Sequence, residues 1–511
     1  MTERRSPTDL AVAVVPWLTV LALVAWSAWH RWQVLSATPY PVGIDGYFYS
    51  IQVRSLAEHG QLAYPAAPLT FWLMAIASAV SDPIVGPKLV AALVGALIAV
   101  PGFLLGRRLG GPLGGVAAAV VAVTSGGSFF LSLEFVKNGV GLTVAMTAAW
   151  LGARALEQPS RGRLATATLA VVAALLTHKM AAALVAALLA PAIVVELHAR
   201  VGGARTLRLA AIGGAGLAVL AIVLGLVAPA RFVAARDLAE LGSLIGADPS
   251  WSLPAMEIPR AGRPPFVLGL GDQTLLALGL ALAWIGASVA AIWTAALASP
   301  ARRAERAIVW SAVAIVMVTA IPVLAIGDPD GLGFRLRVAV FAPAALVAAG
   351  LVGRAFAALA PWTRVVVLAP LLLVRVAVVP DEPVEGRVVA HPALVSGMQA
   401  LAGRLPPDAV VITSERHLGF MATWYARVPV RLRPEPVPPA RRWRLLAGNL
   451  IQLGSPLDRE LRAARALPAP PIGLHPRDPD GLVVVPESTW EVVLAKLPPK
   501  LSRYWREWHT R

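Results

Sequence analysis

About eleven stretches of this chain are apolar over roughly the length a helix needs to cross a bilayer, far more than a soluble core of this size can bury. Over 511 residues, 57% are hydrophobic and only 14% charged, the composition of a polytopic helical membrane protein. The formal net charge of +16 comes almost entirely from arginine, much of it in short loops between apolar runs. Basic residues so placed set orientation in a bilayer and do not form a nucleic-acid surface. With no cysteine, disulfides, thiolate metal sites and cysteine nucleophiles are excluded. The first run, about Leu10 to Trp29, lacks a small-residue cleavage site and reads as an uncleaved first helix.

Arg4 and Arg5 precede this run, so the positive-inside rule puts the N-terminus in the cytoplasm and residues 30–87 outside. Within that first outer loop, Pro65 to Val80 is apolar but short, and is expected to lie at the interface or dip into one leaflet. The next helix then runs inward from Lys88 to Leu105, delivering Arg107 and Arg108 to the cytoplasm. Further spans are expected at 113–131, 139–153, 164–176, 181–197, 209–227, 274–297, 307–326, 338–359 and 365–379, with a long outer loop at 230–271. The inner turns then carry Arg154, Arg161, Arg163, Arg200, Arg205, Arg208, Arg302, Arg303, Arg306, Arg354 and Arg364. From Pro380 the chain becomes proline-rich and charged. Ala409–Thr413 and Gly481–Val485 read as buried strands, so 380–511 is expected to be an extracytoplasmic α/β domain following a transmembrane domain at 1–379.

The residues able to do chemistry fall on the outer side of this topology. Asp45 stands in GIDGYFYSIQVRSLAEHG, at the start of a helix, with Arg54 nine positions on. An aspartate there can serve as a helix N-cap, or as a general base or metal-organising carboxylate at the membrane boundary. Glu134 and Lys137, in LSLEFVKNG, mark either an interfacial helix end or a polar site. His178 and Lys179 interrupt two apolar runs without glycine or proline, and suit a phosphate; the plainer alternative is a snorkelling lysine beside a satisfied histidine. The long outer loop holds Glu257 between prolines, and Arg335 and Arg337 stand at the outer mouth of a late helix, where an anionic lipid group can be met.

The order of these pieces resembles the GT-C superfamily of polyprenyl-linked-sugar transferases, most closely the catalytic subunit of bacterial and archaeal oligosaccharyltransferase. The likeness rests on Asp45-Gly46-Tyr47 with Arg54, the TFWL segment at Thr70–Leu73, the basic turn Arg107, Arg108 and Pro112, Glu257 in a long outer loop, and GLGFR ending at Arg335. It implies a membrane glycosyltransferase with a polyprenyl-(pyro)phosphate donor and an extracytoplasmic acceptor in the cell envelope. By the same resemblance Asp45 and Glu257 hold a divalent cation (Mg2+ or Mn2+) or the acceptor nitrogen, and Arg335 helps dock the acceptor. Arg54, Glu134, Lys137, His178, Lys179 and Arg337 complete the set expected to bind donor phosphate or acceptor.

Two departures stand out. The family's DxD falls on Val136-Lys137-Asn138, which argues against strict metal dependence, and its tryptophan-tryptophan-aspartate motif falls on Ser414-Glu415-Arg416, which argues against sequon reading. A transporter or flippase for lipid-linked glycans, or a non-catalytic binding component, is the alternative. The transporter would place its ionisable groups near mid-span, whereas here they gather at one surface.

Overall fold

The computed structural model describes residues 7–228, 231–232, 303–320, 338–357, 390, 392–431, 437–447, 451, 453–473 and 481–507. Glu257, Arg335, Arg337 and the spans expected at 274–297 and 365–379 lie outside the described residues. The described helices of the apolar part are α1 (Pro7–Ser36), α2 (Gly46–His59), α3 (Leu69–Ala79), α4 (Val85–Leu97), α5 (Ala99–Thr124), α6 (Gly126–Leu133), α7 (Val136–Glu157), α8 (Arg161–Thr177), α9 (Lys179–Val201), α10 (Gly203–Val227), α11 (Arg303–Ala320) and α12 (Phe341–Ala355). The chain divides into two compact units. One comprises Met1–Ser36, Tyr64–Ile76 and Lys88–Glu382; the other comprises Ala37–Ala63, Ala77–Pro87 and Pro383–Arg511. The segment carrying Asp45 therefore belongs to the same unit as the C-terminal sheet.

Unit 1 is a helical bundle. Among the described residues, Val85–Thr124, Val136–Glu157, Lys179–Val201 and Gly203–Val227 are long and apolar enough to cross a membrane. The first of these, 40 residues in all, would span about 60 Å if straight, twice a hydrocarbon core. It breaks at Gly110 and Gly111, the latter at φ 70°, a backbone state that disfavours any side chain, and Pro112 follows. The two halves fold back closely. A Cβ on Gly106 would meet the Gly114 carbonyl oxygen at 2.9 Å, and one on Gly115 would meet that of Phe103 at 2.8 Å. Arg107 and Arg108 sit just before this turn, and Arg108 bonds both Glu157 at the end of α7 and, at 2.8 Å, Glu305 at the start of α11. α3, at 11 residues and about 16 Å, is too short to cross.

Helix packing in lipid gains nothing from apolar burial alone, so close backbone approach has to hold the bundle together. Small residues supply it. Ala118, Ala119, Ala122, Ala145, Ala148 and Ala149 are fully buried, and a Cβ on Gly110 would collide with the Ala349 carbonyl of α12. The polar tie is Arg31 of α1, 1% exposed. Its Nε donates to Ser132 Oγ at 3.0 Å and its Nη2 to Ser128 Oγ at 2.8 Å and the Val123 carbonyl at 3.4 Å, while Nη1 reaches the hydroxyl and carbonyl of Ser27. Gly95 leaves room for it: a Cβ there would lie 3.2 Å from Arg31 Nε.

In unit 2 the C-terminal segment forms α13 (Pro392–Leu401), β1 (Val410–Ile412), α14 (Arg416–Tyr425), β2 (Val430–Arg431), β3 (Arg442–Ala447), α15 (Pro456–Ala463), β4 (Leu482–Pro486), α16 (Glu487–Lys496) and α17 (Pro499–Glu507). The sheet order is β2-β1-β3-β4, with β1 parallel to both neighbours and β4 antiparallel to β3. Apolar runs make β1 and β4 buried at every position. β3 reads RWRLLA and still enters the sheet, because buried Arg444 is held by both carboxylate oxygens of Glu487 at 2.6 and 2.7 Å. α14 approaches the sheet through Gly419, whose Cβ would lie 2.8 Å from Val430.

Candidate functional site

In unit 2, α2 packs on α14 with both helices running the same way. Phe48 meets Phe420 with ring centroids 5.2 Å apart, Tyr47 and Tyr425 share a hydroxyl–hydroxyl bond of 2.8 Å, and Arg427 pairs with Glu58 near the far end. Arg54 donates to the carbonyls of Trp424 (3.1 Å) and Thr423 (3.3 Å) and lies 4.3 Å from the Trp424 ring centroid. It thus satisfies carbonyls that the last turn of α14 leaves open. Burial raises both tyrosines above their ordinary range, so they act as neutral hydroxyls.

Parallel packing brings the two N-termini together. Asp45 holds the N-cap position of α2, yet its side chain caps nothing. It is 7% exposed, and its buried Oδ1 has no hydrogen-bond partner among the described residues. Among the described residues the cation beside it is the first residue of α14: Arg416 Nε lies 3.9 Å from Asp45 Oδ1, beyond hydrogen-bond distance. A buried carboxylate oxygen left unbonded costs stability, and such groups concentrate where a fold serves a reaction.

Ser414–His417 follow the carboxyl end of β1, from which the chain passes first to β2 on one side and later to β3 on the other. In open α/β sheets that switch point is where a crevice opens. Glu415, at the N-cap of α14, also leaves its helix uncapped by its side chain; its Oε2 is 3.3 Å from His417 Nε2. Burial raises the Glu415 carboxyl and pushes the His417 imidazole down to about 4, so the imidazole is neutral at physiological pH. The start of α14 thus carries two neighbouring pairs, Asp45 with Arg416 and Glu415 with His417. Of these, sequence reasoning singled out Asp45 alone; the signal for the rest was a run of polar residues directly after a buried strand.

Unit 1 gathers a second set. Glu134, buried, ends α6, and Lys137 and Asn138 open α7, with the Lys137 ammonium 5.7 Å from the Phe71 ring centroid. The α8–α9 turn packs on the same helix: a Cβ on Gly141 would lie 3.4 Å from that of His178. His178 caps α9, accepting the Met180 N–H on Nδ1 at 3.1 Å, and Lys179 is the first helical residue. An apolar cavity of about 470 Å³ begins next to this turn, lined by Leu142, Met180, Leu184, Pro191, Ile315 and Pro343 among others.

Among the described residues no three His, Asp or Glu side chains come together as a metal would require. Asp45 faces a guanidinium, a poor partner set for a divalent cation. The described residues therefore do not fit that group.

No protein-family model matches the chain, and no curated protein matches its sequence. Solved structures do match. ArnT from Cupriavidus metallidurans in the apo state has a TM-score of 0.52 at 16% identity, over 95% of this chain and 100% of that one. The same protein bound to undecaprenyl phosphate gives 0.53 at 16%, over 92% and 98%. The Archaeoglobus fulgidus oligosaccharyltransferase, in complex with Zn and sulfate, gives 0.52 at 14%, over 82% of this chain; the chain spans 62% of that protein's length. The likeness is one of fold, which is GT-C-like.

Proposed function

We propose that the chain is an oligosaccharyltransferase-like membrane glycosyltransferase that moves a sugar or oligosaccharide from a polyprenyl-(pyro)phosphate donor to an acceptor outside the cytoplasm, a protein, lipid or glycan of the cell envelope. In this reading about eleven spans cross the cell membrane, the N-terminus is cytoplasmic, and residues 380–511 are extracytoplasmic. Support comes from the GT-C fold and from each unit's own chemistry.

Unit 1 suits the donor. The turn at His178 and Lys179, with Lys137 nearby along α7, offers the two lysine ammoniums for charge-assisted bonds to a phosphate, and the neutral His178 ring for an ordinary N–H bond. The apolar cavity starting at Met180 matches the first part of an isoprenoid tail. ArnT, of like fold, has been captured with undecaprenyl phosphate, which is consistent with a donor of that class.

Unit 2 suits the acceptor. Asp45 would take the proton of the acceptor hydroxyl as its oxygen bonds to the anomeric carbon. The bond from that carbon to the donor's phosphate oxygen breaks, and the polyprenyl (pyro)phosphate leaves as an anion, with inversion. Glu257, Arg335 and Arg337 retain proposed roles in acceptor binding. The observation that carries the reading is the buried, unbonded Oδ1 of Asp45 within a GT-C fold.

The test is mass spectrometry of glycoproteins, glycolipids and surface polysaccharide from cells lacking the protein, complemented with the native chain or Asp45→Asn. A glycan that disappears and returns only with the native chain supports the reading and identifies the acceptor class. Return with both chains would remove the base from the scheme.

A further inference from the structure

We propose that Arg416 is the positioning cation of Asp45, standing where a divalent metal would otherwise balance and orient that carboxylate, so that transfer by this chain needs no metal at Asp45. The inference rests on the reading of Asp45 as general base.

Four observations converge on it. Asp45 is a buried carboxylate at the N-terminus of α2 that does not cap its helix, so its charge is not explained by local structure. Among the described residues its Oδ1 has no hydrogen-bond partner, and Arg416 Nε stands 3.9 Å away. A pair serving stability alone gains most by closing to hydrogen-bond distance, usually with both oxygens engaged, as Arg444 and Glu487 do in the same unit at 2.6 and 2.7 Å. The open spacing at Asp45 supplies counter-charge while leaving the oxygen available to a proton. Finally, the Arg416 guanidinium lies 5.8 Å from the Phe420 ring centroid, and Phe420 packs on Phe48, three residues after Asp45. The ring pair fixes the arginine relative to the helix that carries the acid.

The placement follows from topology. Arg416 is delivered by the switch point at the end of β1, and Asp45 by the start of a helix packed parallel to α14. Both helix N-termini add positive potential at the same carboxylate, which further lowers the need for a bound cation. Arg416 is half-exposed, so its attraction to Asp45 is moderated by solvent; its role is orientation and charge balance at close range.

The test has two parts, both on the full chain in nanodiscs of neutral lipid or in cells. First, MnCl2 is titrated and free Mn2+ followed by its electron paramagnetic resonance signal. The native chain and Asp45→Asn are expected to give the same curve, whereas one equivalent of Mn2+ bound by the native chain and lost in Asp45→Asn would overturn the proposal. Second, the glycan lost from the deletion strain is measured after complementation. Arg416→Lys is expected to restore it, while Arg416→Gln lowers its rate of appearance on the order of 10–100-fold, as loss of catalytic alignment does, with an unchanged unfolding midpoint. Native restoration by Arg416→Gln, or equal loss in Arg416→Lys and Arg416→Gln, would also overturn it. If Asp45→Asn itself restores the glycan, the general-base reading has failed, and this inference with it; if only Arg416→Gln restores, the inference fails alone.

Discussion

Two buried charges, Arg31 in one unit and Asp45 in the other, are treated in opposite ways. Arg31 in the helical bundle directs its guanidinium at neutral hydroxyls and carbonyls from α1, α5 and α6, so its donors are spent within the fold. Asp45 in the other unit keeps a buried oxygen unbonded, with a cation near but not in contact. A buried charge whose bonds are complete ties elements together. One whose bonds are incomplete carries a standing cost that a reaction can use. On the proposed reading, the contrast sets a structural residue, Arg31, against a general base, Asp45.

The largest expected effect lies on the reactive side. Asp45→Asn should lower transfer by about 10²–10⁴-fold, the usual contribution of a general base, without lowering the unfolding midpoint. A fall in midpoint with activity retained would put Asp45 in the same class as Arg31.

Next comes His417. Its folded-state pKa of about 4 lies below the value near 6.5 of an exposed imidazole, so between those two pH values the unfolded chain binds the proton more tightly. Stability should therefore fall as pH drops through that window, by roughly 3 kcal/mol at most. Glu415, raised by burial, works in the opposite sense and trims the slope. Unfolding midpoints measured from pH 7 to 4 should slope less in His417→Gln; equal slopes would show that the imidazole is not held neutral.

On the structural side, Arg31→Met would take the donor from the hydroxyls of Ser27, Ser128 and Ser132, of which Ser132 keeps its bond to the Ser128 carbonyl, at about 1–3 kcal/mol. The unfolding midpoint should drop, and residual transfer should follow the amount of folded protein. A loss of specific activity with no loss of stability would move Arg31 to the reactive class. The smallest effect is expected from Tyr425→Phe, which removes one bond to Tyr47, about 0.5–1.5 kcal/mol, visible as a slightly lower midpoint.

The same contrast explains what could be read from the sequence. In unit 1 the helices were legible because their ends carry their own markers: Arg107, Arg108 and Pro112 at the α5 turn, Arg161 and Arg163 before the apolar run of α8, and His178 and Lys179 between α8 and α9. In unit 2 the apolar runs disclosed β1 and β4, but β3 was hidden, since Arg444 belongs in a strand only because Glu487, 43 residues on, receives it. Asp45 was legible from its DGY setting. Glu415 and Arg416 entered the sequence reading only as the place where the tryptophan-tryptophan-aspartate motif is missing, and His417 not at all, because the Asp45–Arg416 pairing arises from packing of α2 on α14, some 370 residues apart in the chain. His178 was read as a phosphate ligand or a satisfied histidine; its Nδ1 is engaged as a helix cap.

The most direct test of the central claim compares two measurements on one variant: glycan restored in the deletion strain, and the unfolding midpoint of the same chain in nanodiscs, for the native protein and Asp45→Asn. The account predicts an inserted Asp45→Asn protein that unfolds no lower than native and restores no glycan. An Asp45→Asn protein that restores the glycan to native amounts would contradict it.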